Sequence, residues 1–225
     1  MPRETLDRQI HQLEDEVLLL GSMVEQAMLS AVDALKRRDL ILAKEIFEND
    51  QVINEKRFAI ENAIIILIAT QQPLAHDLRL LTAILEVDTE LERMGDYAKG
   101  VAKVVTRLGD ADLPIPIRDL TRMAEIAISM LHRALSAFIE ENLNQAAIIP
   151  DDDDEVDGLF IAVYRQLVDS MIANPAIIDQ VSNLLWVAHN IERMADRVTN
   201  ICERTVFIAT GELMEMDTDD DEEAA

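Results

Sequence analysis

The stretch "ELERMGDYA" at residues 90–98 returns as "NIERMADRV" at residues 190–198, so that Glu92, Arg93, Met94 and Asp96 match Glu192, Arg193, Met194 and Asp196. A second pair of segments keeps nearly the same spacing. "LILAKEIFENDQVIN" (40–54) aligns with "LNQAAIIPDDDDEVD" (143–157), which sets Asp50 on Asp153 and Asn54 on Asp157. Pro73 and Pro175 both precede the segment that carries the shared motif. Chance likeness between two charge-rich segments would not bring the preceding segment with it. The chain reads as one unit written twice.

Each unit has helical periodicity. Leu13, Val17, Leu20, Val24, Ala27, Ala31 and Leu35 recur at intervals of three or four, as one face of a helix requires. Only 4% of residues are aromatic, and six Gly and six Pro leave few turns between long elements. The spacing predicts six long helices, over about 6–36, 40–70, 75–108, 118–140, 143–173 and 176–210, with Asp39 as the N-cap of the second. "QQPLAHD" and "GDADLPIPIRD" (109–119) carry the breakers, the latter being the clearest linker. Short connections make neighbouring helices antiparallel. The expected fold is all-α, two tandem repeated three-helix bundles over residues 1–110 and 116–211. An acidic tail over 212–225 is expected to be disordered.

Charge limits the partners. The formal net charge is −24, from 44 acidic and 20 basic residues. Such an acid-rich, lysine-poor surface resembles that of proteins adapted to high salt, where salt screens the self-repulsion. It argues against nucleic acid, which needs clustered Lys and Arg. Cys202 is the single cysteine, so neither an internal disulfide nor a cysteine-based zinc site is expected. The start lacks a signal-peptide profile, and the run "AIIILIA" (63–69) is too short to span a bilayer. A soluble, cytoplasmic protein, not embedded in a membrane, is expected.

The repeated motif places two carboxylates, four residues apart, on one helix face. Val181 and Leu185 lead into His189, Glu192, Asp196 and Asn200, so an apolar side turns acidic partway along. Carboxylates on a partly buried face must be paired, protonated or metal-bound. Three readings follow. The acids pair with arginines such as Arg93, Arg193 and Arg197; or they bind a hard metal ion together with Asp50 and Asn54, or Asp153 and Asp157, from the preceding helix; or they dock a basic partner. The oxygen donors of the second reading suit Mg²⁺, Mn²⁺ or iron. A dinuclear carboxylate oxidase would carry Glu-x-x-His in two helices, whereas His189-x-x-Glu192 runs the other way. Phosphate loops, nucleophile elbows and catalytic Cys–His arrangements are not seen.

Tandem bundles with Glu-Arg-Met-x-Asp on their last helices, "QQPLAHDLR" at 71–79, "DQVIN" at 50–54 and "NIERMADRVTNICE" at 190–203 together resemble the PhoU family of phosphate-transport regulators. The resemblance covers about residues 5–211. It implies a regulator, not an enzyme, that restrains phosphate uptake and starvation signalling. The implied partners are the ATPase subunit of a phosphate transporter, a sensor kinase, and a second copy of the chain in a homodimer. It also implies metal ions (iron, manganese, magnesium or zinc) on Asp50, Glu92 and Asp96 in one site and on Asp153, Asp157, Glu192 and Asp196 in the other. Asn54 stands where the family carries an acid, and Ala195 where Gly is usual. The alternatives are a carboxylate-bridged metalloenzyme and an accessory protein of a sodium- or proton-coupled phosphate transporter.

Overall fold

The computed structural model describes residues 2–108, 113 and 115–216. The first unit is α1 (Pro2–Arg37), α2 (Leu40–Gln71) and α3 (His76–Leu108). α1 turns its stripe inward: Val17, Leu20, Val24, Met28 and Ala31 are fully buried. By length and composition it is also the one described helix able to cross a membrane. Here its stripe closes a core against α2 and α3.

The turn between α1 and α2 is tight because Arg38 adopts a left-handed conformation with φ 56°. Asp39 then caps α2, its Oδ1 accepting from the backbone N–H groups of Ile41 and Leu42 at 3.0 Å each. The second unit repeats this device. Glu141 has φ 50°, and Asn142 caps the next helix by accepting from the Gln145 N–H at 3.2 Å. A side-chain cap on two free backbone donors in the first unit and on one in the second, each after one reversed backbone residue, sets the antiparallel return.

The second unit is α4 (Ile117–Ile139), α5 (Leu143–Ile148), α6 (Asp153–Ala173) and α7 (Ile178–Thr210). The single helix expected over 143–173 is broken into α5 and α6. Pro150 has no N–H to donate, and its ring crowds the carbonyl four residues back. A 3-10 turn, Pro150–Asp152, therefore joins the two pieces. The six long helices stand, with α5 as an extra short one.

Burial follows the repeat. Asp50, Ile53, Ile60 and Ile64 are buried on α2, as are Asp153, Val156, Val163 and Leu167 on α6. On the last helices Ile84, Val87, Leu91, Met94 and Ala98 match Leu184, Val187, Ile191, Met194 and Val198, all buried. The two units meet through α3 along α7 and α1 against α4. Arg197 Nη1 reaches Glu90 Oε2 at 3.3 Å and Arg204 Nε reaches Glu86 Oε2 at 2.6 Å across the first of these seams.

Linker residues 109–112 and 114 lie outside the described residues, as does the tail from 217. Gly211, left-handed at φ 80°, reverses the chain after α7, and the Met216 N–H donates to Glu203 Oε1 at 2.9 Å.

Candidate functional site

The first acid set lies between α2 and α3. Asp50 occupies a core position of α2, 5% exposed. Its Oδ2 accepts from Lys99 Nζ at 2.6 Å and from Asn54 Nδ2 at 3.1 Å. Lys99, one turn beyond the motif on α3, also lies 3.6 Å from Asp96 Oδ1. Glu92 completes the group: burial raises its pKa, and the negative charges of Asp96 and Asp50 add to the rise against Arg57 and Arg93. Thus Asp50, Glu92 and Asp96 are brought together as expected, and an ammonium group from the chain itself stands among them.

The second set lies between α6 and α7. Asp153 is 3% exposed at the start of α6. Glu192 is the centre of the set, its carboxyl pushed up to about 7 by burial first, then by Asp196, Asp157 and Asp153, with Arg193 opposing. His189 Nδ1 comes within 3.1 Å of Glu192 Oε2, though not aligned as a hydrogen bond, and Arg193 Nη1 pairs with Asp196 Oδ2 at 3.0 Å. The position corresponding to Lys99 is Thr199, buried, with its Oγ1 unpartnered. Four carboxylates therefore share one region without a lysine.

The expectation of arginine pairing holds in part. Arg193 meets Asp196, whereas Arg93 and Arg197 both reach Glu90, outside the motif. For a metal, the donor chemistry of the second set fits: several oxygens, one of which readily holds a proton near neutral pH. As the side chains stand, however, no group of three or more His, Cys, Asp or Glu among the described residues is arranged to hold an ion. In the first set Lys99 supplies the positive charge a cation would otherwise bring, so that set fits a metal less well.

Two neighbours were not expected from the sequence. Asp88, 1% exposed on α3, has its carboxyl pushed up to about 7 by burial, with Arg57 opposing. Arg57 continues the buried stripe of α2 and pairs with Glu61 at 3.6 Å. The second unit has Phe160 and Ala188 at these positions. An arginine at a stripe position was the available signal.

The PhoU domain family matches twice, over residues 17–105 and 120–205. A phosphate-specific transport system accessory protein PhoU homolog of Clostridium acetobutylicum is 33% identical over 217 residues, 96% of this chain and 99% of that protein. The Escherichia coli PhoU accessory protein is 33% identical over 205 residues, 91% of this chain and 85% of its own length. The crystal structure of the phosphate transport system regulatory protein PhoU from Streptococcus pneumoniae superposes with a TM-score of 0.87 at 32% identity, covering 94% of this chain and 100% of that one.

Proposed function

The chain belongs to the PhoU family, and on that premise we propose that it is an accessory protein of a phosphate transporter that restrains uptake and its signalling by protein contact. The observation that carries the contact is the outer face of α2. Its inner stripe faces the bundle, yet Phe47, Phe58 and Ile65 are 45%, 58% and 55% exposed on the other side. Intervals of eleven and seven residues bring these three to one line along the helix. A line of large apolar groups on so acidic a protein is a surface made to be covered. The partners are the transporter's ATPase subunit, a sensor kinase, and a second copy of the chain in a homodimer. All of this takes place in the cytoplasm, in salt strong enough to screen the charge.

The protein acts by binding, without a catalytic step; the relatives above carry accessory or regulatory names, not enzyme names. A divalent or iron ion would be held by Glu192, Asp196, Asp153 and Asp157, where it would neutralise crowded carboxylates and tie α6 to α7. The same role at Asp50, Glu92 and Asp96 requires Lys99 to move aside.

The test is a Phe58→Glu, Ile65→Glu variant in cells lacking the chromosomal copy. Both residues are exposed, so the helical spectrum should be unchanged. Wild type should lower phosphate uptake, and the variant should not. A folded variant that restrains uptake as wild type does would sink the contact reading.

A further inference from the structure

At the seam between α3 and α7 lies a cleft of about 600 Å³. Lys99, Lys103 and Arg107 line it from α3, at intervals of four that set them on one side of the helix. Two of the chain's five lysines are therefore here. Elsewhere Lys44, Lys56, Arg37, Arg122 and Arg204 each meet a carboxylate. Among the described residues Lys103 and Arg107 meet none, and Asp96 is the single acid in the lining. In a chain of net charge −24, this local excess of positive charge runs against the field of the whole molecule.

The opposite wall comes from α7. Trp186 and Asn183 line it, and Phe47 of α2 closes one end. Phe47 and Trp186 are 45% and 58% exposed, so two aromatic faces flank the cations. Gly100 forms part of the floor. A Cβ there would lie 2.7 Å from Asn190 Nδ2 and 3.6 Å from Trp186 Nε1. Asn190 is 4% exposed, and its Nδ2 has no hydrogen-bond partner.

We propose that this cleft binds an organic phosphate of nucleotide size, its phosphate oxygens on Lys103 and Arg107 and its planar part against Trp186. Arginine and lysine supply charge-assisted donors for phosphate oxygens, and indole and phenyl faces stack planar rings. The volume falls in the range of about 300–1,000 Å³ usual for small-molecule sites and far exceeds the need of a bare phosphate. Lys99, already held by Asp50 and Asp96, contributes charge from the edge. The cleft shares Lys99 and Asp96 with the first acid set and Phe47 with the exposed line of α2, but ligand binding on Lys103, Arg107 and Trp186 requires neither a metal nor the transporter.

Trp186 is the only tryptophan, so its emission reports this cleft alone. ADP and orthophosphate would each be titrated, with chelator present, into wild type and into a Lys103→Gln, Arg107→Gln variant. Both residues are exposed, and the helical spectrum checks folding. The expected result is a saturable change with ADP that weakens at least about tenfold in the variant, the scale of one or two lost charged contacts. Orthophosphate should bind far more weakly. No saturable change, or one equal in the variant, would overturn the site. Equal affinity for orthophosphate would overturn the organic ligand.

Discussion

Asp88 offers a direct test of the electrostatics inside the first bundle. Its carboxyl is 1% exposed and its pKa stands at about 7 instead of 3.8, burial being the main cause. The folded protein therefore holds this proton more tightly than the unfolded chain does. Its contribution is most favourable below pH 3.8 and is lost as the pH rises to about 7. At about 1.4 kcal/mol per pH unit, the full penalty above pH 7 is about 4 kcal/mol, and less than half of that is already present at pH 5. Replacing Asp88 with Asn removes the titration. Arg57 keeps Glu61 as a partner, and Thr89, whose hydroxyl now donates to Asp88 at 3.3 Å, stays beside the amide. Whatever the amide itself costs is the same at every pH. Urea unfolding of wild type and Asp88→Asn at pH 5 and pH 8, in constant high salt, should show the difference moving in favour of the variant by about 2–3 kcal/mol. Glu192 titrates in the same direction in both proteins and cancels. A difference that stays flat, or moves toward wild type, would refute the buried-carboxylate account.

Other consequences follow from packing and charge. A Cβ at Gly158 would meet nothing within 4 Å, so Gly158→Ala in the interior of α6 should stabilise by about 0.5–1 kcal/mol in thermal unfolding. A Cβ at Gly21 would run into Leu135 Cδ1, and Gly21→Ala should cost about 1–2 kcal/mol in the same assay, by forcing the buried Leu135 side chain off its rotamer. The Cys202 thiol is buried and pushed up to about 12, so a thiol reagent should leave it untouched in the native protein and modify it fully in denaturant. Metal per chain, measured by mass spectrometry after manganese or iron is offered to chelator-free protein, should fall more in Glu192→Gln, Asp196→Asn than in Glu92→Gln, Asp96→Asn. Equal losses would refute the asymmetry that Lys99 creates.

What could be read in advance was whatever depends on local order. Asp39 as a cap, the stripe of α1 and the pairing of Asp50 with Asp153 need only a helix and a repeat, and the chain states both. Pro150 in the sequence marks the break between α5 and α6, which a single helix over 143–173 leaves out. Lys99 was half legible. Its spacing to Asp96 marks an i,i+3 pair, whereas its bond to Asp50 needs α2 at its side. Asp88 carried no signal of its own, because a lone acid on a helix reads as solvated until the neighbouring helix covers it.

The two units solve one packing problem with different charges. Gly95 lies against Ile53, where a Cβ would meet Cγ2 at 3.2 Å; the second unit has Ala195 and Val156, moving one carbon from the middle helix to the last. Arg57 and Asp88 become Phe160 and Ala188, an apolar pair where the first unit keeps charges. Lys99 becomes Thr199. Each exchange preserves the helices, because backbone geometry depends on volume and period. What changes is which acid set carries its own cation. Replacing a buried charge with apolar groups is often neutral for stability, while removing one partner alone is costly. Lys99→Met should therefore destabilise the first unit by about 1–3 kcal/mol, because Asp50 is left buried with only Asn54 as a side-chain donor, and the additional change Asp50→Leu should recover much of that loss. Urea unfolding of the single and double variants measures both. A double variant as unstable as Lys99→Met would mean that Lys99 acts through something other than Asp50.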